Sequence, residues 1–546
     1  MTKYINKNSL PYLLLLVILS LLCVARFTLF DYGFQTFYDD AYFLLKAKEV
    51  KEGVITGKSQ WNFIAVNWFP YMDLSSMIQS RMSGYILMLA TVLNATIASI
   101  VAFGNKNCLK YLAVCLLLLL PKAGQMSYVA LQTFLLCTSV SAFIIYWKKE
   151  NIWLKYGMLL VAGFMAGLSL FVIMPAGLLT MAFYVIILLI MNGRRYIQSI
   201  KEIGVGIVGV VLCVAYMHLC ICPVDKIVDA MRFTASYFTK TGYGYDFLSM
   251  CSYIGLFVRD SIFVIVFYIG AYFLSKKIVC GKFAWIGGLV YLVLVFICFN
   301  YQKKPAISPY VFFSSVVLIP LAFECENGGF KAMLSKDTIM RLFLFCFPVI
   351  ASVGSNTFSF RVACFIVAWA FLWFEQKEET KWYVALAAIL AILVPYTLKT
   401  VNTLNNRDDR FHFTRGNKYF AEISLTEKQK EYYDNMYDLM SDYGFKSNSS
   451  VVFTALFDYA TVYAFDAVLS SNFHQTNNFL YWDTKDMLRP DFIILSGWDE
   501  KVMGERLRTM GWGWPEEFDA YGMGTPESRV QNFSNAEKRT VYCRKK

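Results

Sequence analysis

Two adjacent carboxylates, Asp39 and Asp40, open the stretch Tyr38-Asp39-Asp40-Ala41-Tyr42, just after the first long apolar run of the sequence. A positioned carboxylate can take the proton of a hydroxyl as that hydroxyl attacks an electrophile, so the pair reads as a candidate general base with a neighbour. The structural reading is helix capping, in which an Asp at an amino-terminal end favours the dipole. Capping needs one Asp and not two, and both readings stay open. Leu44, Leu45, Ala47 and Val50 follow at helical spacing, with Lys46, Lys48, Glu49, Lys51 and Glu52 on the other face and Gly53 as a stop. The spacing predicts an amphipathic helix lying on a membrane face, with the two acids at its start.

Cations form the second chemical signal. Arg26, Arg259 and Arg361 sit inside apolar runs, Arg81 stands at the entry of another, and Lys303 and Lys304 share a short loop. A charge within a bilayer costs roughly 2.5–3.5 kcal/mol on the insertion scale. Snorkelling of single side chains relieves that cost, and Asp260 can neutralise Arg259 locally. A shared anion is the other explanation, and a lipid-linked phosphate at the outer leaflet would satisfy all six.

These residues must be held by a membrane scaffold. Of 546 residues, 57% are hydrophobic and 16% charged, with a mean hydropathy of +0.47. Soluble proteins carry about 25% charged residues, so the polar surface of a cytosolic multidomain enzyme is missing. Three histidines in the chain argue against a histidine-built metal centre. Apolar runs near the ~20 residues that cross a bilayer occur at 12–30, 84–103, 109–121, 127–147, 156–173, 176–192, 203–221, 252–274, 283–299, 306–323, 338–353, 356–374 and 380–398. The expectation is a mainly α polytopic membrane protein with about 13 transmembrane helices. The run at 109–121 and the pair split at Met174-Pro175 are the least regular.

Charge places the loops. Alternate loops on the amino-terminal side hold 18 Lys and Arg, whereas the four short loops opposite hold Lys122, Lys303 and Lys304. That bias puts the amino terminus in the cytoplasm. An odd span count then puts the tail outside, so the two parts expected are a membrane domain at 1–404 and an extracytoplasmic domain at 405–546. The tail holds 18 basic and 21 acidic residues against 33 and 18 before it. Basic charge confined to short loops is a topology signal and predicts no nucleic-acid partner.

Three segments interrupt the apolar pattern, all on the outer side: a first loop at 31–83, a second at 222–251, and the tail. In the tail, 450–454, 491–495 and 539–543 read as strands and 427–443 and 500–510 as helices, giving a small α/β or α+β domain. Trp482, Asp483 and Asp486, near Arg489-Pro490-Asp491, can line a groove or simply form turns. Trp498, Trp512 and Trp514 can stack on sugars or pack a core. Cys222 and Cys251 bracket the second loop and can pair in an oxidising compartment, but the cysteines read mainly as buried apolar groups.

The run Asp39-Asp40-Ala41-Tyr42-Phe43-Leu44-Leu45-Lys46-Ala47-Lys48-Glu49, ending at Gly53, resembles the first-loop motif of GT-C membrane glycosyltransferases, which include the protein mannosyltransferases and the aminoarabinose transferase of lipid A. Lys303-Lys304-Pro305 with Ser308-Pro309-Tyr310 is similar to a lysine-plus-proline pattern that opens a late helix there. Asp40 departs from the Glu of many relatives. The resemblance implies an inverting transfer of sugar from a polyprenyl-phosphate donor to an outer-face acceptor: a lipid-linked glycan, a lipid A-like lipid or a protein. It implies Asp39 as base, with Asp40 orienting the acceptor or helping to hold a divalent cation. It also implies Lys303 or Lys304 on the leaving phosphate, with Arg26, Arg81, Arg259 and Arg361 as further phosphate ligands. The location implied is a bacterial inner membrane, with membrane lipids around the spans and the tail in the periplasm. The competing classes are a transporter or flippase, and a polymerase or ligase, of lipid-linked glycans. No internal repeat or midplane polar site of the transporter kind stands out in the sequence.

Overall fold

The computed structural model describes residues 10–31, 41, 44–45, 48, 76–122, 127–193, 195–241, 248, 251–252, 254–256, 259, 335–354, 358–375, 382–405, 411–454, 459–470, 487–523 and 538–546. They form a helical bundle with a small mixed sheet at one end. The helices are α1 (Leu10–Phe27), α2 (Met77–Phe103), α3 (Cys108–Leu119), α4 (Tyr128–Lys148), α5 (Ile152–Leu170), α6 (Met174–Asn192), α7 (Tyr196–Tyr216) and α8 (Val224–Thr241). After the stretch outside the description come α9 (Lys336–Ile350), α10 (Phe358–Cys364), α11 (Val367–Glu375) and α12 (Trp382–Asn405).

Six of these, α1, α2, α4, α5, α6 and α7 (the last running on to Ile221), are long and apolar enough to cross a bilayer. Their outward faces are apolar: Leu14, Val17, Leu21 and Val24 on α1 and Ile207, Val208, Val211 and Leu212 on α7 are exposed. In water that would be an aggregation surface; lipid removes the problem. The chain is an integral membrane protein. The expected runs at 252–274, 283–299 and 306–323 lie largely or wholly outside the described residues.

Local sequence sets where the helices start and stop. Ser127 accepts a bond from the Ala130 amide at 3.3 Å to open α4, and Asn151 accepts from Trp153 and Leu154 at 3.1 Å each to open α5. Pro175 stands in the first turn of α6, where its missing N–H costs nothing, so the split at Met174-Pro175 is a real turn. The expected span at 356–374 is broken instead of continuous. Phe365 and Ile366 interrupt it between α10 and α11, and the Cys137 thiol donates to the carbonyl of Cys364 beside the break, at 3.8 Å.

Helices α5 and α7 approach closely because glycines line their seam. A Cβ on Gly163 would lie 2.3 Å from the Gly206 carbonyl oxygen, and one on Gly209 would lie 2.3 Å from that of Leu160. At one end of the bundle, Glu375 on α11 takes Lys148 from α4 and the Arg341 Nε from α9 at 3.1 Å. Lys110 lies over Trp373 at 5.0 Å. These lysines and arginines come from loops expected on the cytoplasmic side. The segment expected as a second outer loop is largely α8, with Ile227 and Ala230 buried against the opposite end of α4, α5 and α7 and Asp229 and Arg232 facing out.

The carboxy-terminal part folds around α13 (Glu427–Asp442), α14 (Tyr459–Phe465), α15 (Gly497–Thr509) and strands β1 (Val451–Thr454), β2 (Val468–Leu469), β3 (Phe492–Ser496), β4 (Phe518–Met523) and β5 (Arg539–Arg544). The strand order is β2-β1-β3-β5-β4, parallel from β2 to β3 and antiparallel through β5 to β4. Capping boxes start α13 at Thr426 and Gln429 and α15 at Ser496 and Asp499. The sheet, buried along all of β3, makes this an α/β layer of the kind expected.

Candidate active site at the tail end of the bundle

The first loop and the tail meet at the end of α1. Ala41, Leu44 and Leu45, all helical, are buried in the same apolar cluster as Phe413, Phe420, Ile423, Tyr433 and Phe465 of the tail. Leu44 and Leu45, expected against a membrane surface, are therefore packed into protein. Lys48 reaches the other way and pairs with Asp466 at 2.6 Å. Both ends of the loop are pinned to one tail segment. Ser424 donates its amide to the Asp31 carbonyl and its hydroxyl to the Asp31 carboxylate, each at 2.8 Å, and Ser76 donates to Glu422 at 3.1 Å. Asp39 and Asp40 lie outside the described residues; Ala41, next in the chain, is completely buried.

The four arginines expected as phosphate ligands differ in what they touch. Arg26, in the last turn of α1, is within electrostatic reach of Tyr85 on α2 and of Tyr396 and Lys399 on α12. Lys399 was not singled out as a ligand by the sequence pattern; only the packing of α12 beside α1 makes it a neighbour of Arg26. Arg81 is buried and donates from Nη1 to the carbonyls of Phe30 at 2.7 Å and Leu29 at 3.4 Å, so it ties α2 to the turn that ends α1. Arg361 is 4% exposed in α10, with its guanidinium carbon 5.0 Å from the centre of the Tyr128 ring. Arg259 is helical and exposed. Lys303 and Lys304 lie outside the described residues.

Two further features escape a reading of spacing. Glu202, 1% exposed on α7, accepts from the Tyr146 hydroxyl at 2.7 Å, the Asn192 amide at 2.6 Å and the Gln198 amide at 2.7 Å. It lies towards the other end of the bundle and has donors enough to be structural. In the tail, a cleft of about 540 Å³ is lined by Arg489, Asp491, Glu516, Glu517, Arg544 and Lys545. Glu517 accepts from Arg489 and Arg544 at 2.7 Å each. Burial and the neighbouring Arg489 hold the Arg544 guanidinium below its ordinary value. Trp482, Asp483 and Asp486 lie outside the described residues. Trp512 and Trp514 are buried with Phe453, Leu507 and Tyr542, so they are core. Cys222 and Cys251 are unbridged. Among the described residues no three His, Cys, Asp or Glu side chains gather as a metal site.

No family model matches the sequence, and no curated protein does. Among solved structures, the chain is similar to the oligosaccharyltransferase of Archaeoglobus fulgidus, crystallised with zinc and sulfate. The TM-score is 0.45 at 11% identity, covering 93% of this chain and 72% of that one. It is also similar to ArnT from Cupriavidus metallidurans bound to undecaprenyl phosphate. There the TM-score is 0.45 at 9% identity, covering 96% of this chain and 97% of that one. Likeness at this level carries no functional argument, which rests instead on the residues of this chain.

Proposed function

We propose that this chain is an inverting membrane glycosyltransferase of GT-C type, moving a sugar from a polyprenyl-phosphate donor to a lipid, glycan or protein acceptor at the outer face of a bacterial inner membrane. The observation that carries the reading is the docking of the first-loop helix. The helix that begins beside the Asp39-Asp40 pair is buried in the tail at the end of the bundle where Arg26 and Lys399 stand. A carboxylate pair at a junction between a membrane bundle and an external domain can meet a lipid-borne donor and a water-borne acceptor together.

In this reading Asp39 takes the acceptor proton as the hydroxyl attacks the anomeric carbon, and Asp40 orients that hydroxyl. The bond from the anomeric carbon to the donor phosphate breaks as the new glycosidic bond forms, which inverts the centre. The charge gathering on the leaving phosphate is stabilised by preorganised cations, with Lys303 or Lys304 first and Arg26 and Arg361 in support. A divalent cation, if the reaction uses one, would be held by Asp39 and Asp40. The amino terminus then lies in the cytoplasm and the tail in the periplasm.

The test is purified protein in liposomes with an undecaprenyl-phosphate sugar in one leaflet. Sugar transfer without net movement of the lipid between leaflets is the expected result. Lipid translocation without transfer overturns the enzyme reading in favour of a flippase.

A further inference from the structure

Buried polar atoms without partners mark a place in the half of the bundle nearer the tail. Gln132 is completely buried on α4, and neither its amide nitrogen nor its amide oxygen finds a hydrogen-bond partner among the described residues. Arg361 is 4% exposed, and its Nε and Nη1 likewise find no acceptor there. Leaving such groups unmet is costly, so their persistence together needs a reason. The two belong to one neighbourhood. Tyr128, under the Arg361 guanidinium, precedes Gln132 by one helical turn on the same face of α4. Further along, Cys137 of α4 bonds to the Cys364 carbonyl of α10, so the two helices stay side by side. Tyr128 opens α4, and Arg361 lies in the first turns of α10, which places the group near the end of the bundle that carries the tail.

We propose that Gln132 and Arg361 together form a buried receptor for a glycosyl phosphate, a proposal that rests on the function proposed above and deepens it by naming Gln132 as a recognition residue. The unmet atoms specify the ligand. The guanidinium nitrogens and the Gln132 amide nitrogen call for acceptor oxygens carrying negative charge, which a phosphate supplies. The Gln132 carbonyl oxygen calls for a donor, and a sugar hydroxyl next to that phosphate supplies one. Tyr128 gives the Arg361 guanidinium an aromatic face that holds it in place without using its N–H groups. The amino-terminal end of α4 adds favourable potential for an anion.

The test uses the full chain in lipid nanodiscs with three probes: undecaprenyl phosphate, undecaprenol without the phosphate, and inorganic phosphate. Thermal unfolding and ligand titration are followed for wild type and for Gln132→Leu, Gln132→Glu and Arg361→Gln. Undecaprenyl phosphate is expected to raise the melting temperature of the wild type, and the other two probes are not. Gln132→Leu removes unmet polar atoms, so its ligand-free form is expected to melt several degrees higher while its affinity for undecaprenyl phosphate falls at least tenfold. Gln132→Glu adds a negative charge that repels the phosphate and is expected to lose binding while remaining folded; Arg361→Gln is expected to lose it as well. If wild type binds and both Gln132 variants bind equally well, the receptor is overturned while the proposed function stands. If wild type does not respond to undecaprenyl phosphate, the donor reading itself fails and takes the receptor with it. If inorganic phosphate alone reproduces the response, the site is one for free phosphate and the lipid headgroup is overturned.

Discussion

Arg81 shows how a single residue can have a reading that spacing leaves open. A basic residue at the mouth of a membrane helix reads equally as a phosphate ligand or as an anchor, and what it meets is a pair of carbonyls at the end of α1. Those carbonyls lie more than fifty positions earlier in the chain, and no local pattern points to them. Arg81→Met is expected to leave them buried and unmet, costing about 1–3 kcal/mol, measured by reversible unfolding in mixed micelles against wild type. Asp434 offers a pH prediction. Burial raises its carboxyl, but bonds from Lys430 and Arg415 outweigh that and hold it below the usual carboxylate range. A carboxylate depressed in the folded state stabilises fully above its unfolded value, near pH 4, and that contribution fades as pH falls through the native value. Asp434→Asn is therefore expected to cost about 0.2–1 kcal/mol at pH 7 and almost nothing at pH 2, read from paired melts at the two pH values.

Elements were legible in proportion to the regularity of their sequences. Strands at β1, β3 and β5 and helix α13 stand within a residue or two of their expected places, because short runs rich in β-branched and aromatic residues, and a good cap on α13, specify them locally. The break between α10 and α11 was not legible, since the run through Phe365 and Ile366 is uniformly apolar and carries no Pro or Gly. Helix α8 was hidden in a mixed segment whose inward apolar residues, Ile227, Ala230 and Met231 among them, matter only once α4, α5 and α7 are there to receive them. The first-loop helix was legible as a helix, but the partner of its apolar face was not; a stripe of Leu44 and Leu45 fits lipid and protein equally well. Leu44→Ala is expected to weaken that docking by about 2–5 kcal/mol, seen as faster hydrogen exchange at 41–48 and 411–425 with the exchange of α4 and α5 unchanged. At the α5–α7 seam, Gly163→Val is expected to push the helices apart and lower the melting temperature, because the new Cβ meets the backbone of Gly206 and not a side chain that can turn away.

For the whole molecule, the sequence carries sidedness in its charge, and among the described residues Lys110, Lys148 and Arg341 stand at one end of the bundle. Lys148, Arg341 and Glu375 meet at one end, while Asp31, Ser76, Glu422 and Ser424 meet at the other. The helix that starts at Leu10 thus begins opposite the tail, the arrangement on which an outward-facing site depends. What the charge pattern could not supply was the joining of tail and first loop, a contact between residues nearly four hundred positions apart. That contact turns a short acidic motif into part of a junction. The measurement closest to the centre of the account is the turnover of Asp39→Asn, inserted and purified as wild type, in proteoliposomes supplied with donor and acceptor. Turnover is expected to fall about 10²–10⁴-fold with undecaprenyl-phosphate binding unchanged; turnover equal to wild type would remove Asp39 from the role of base.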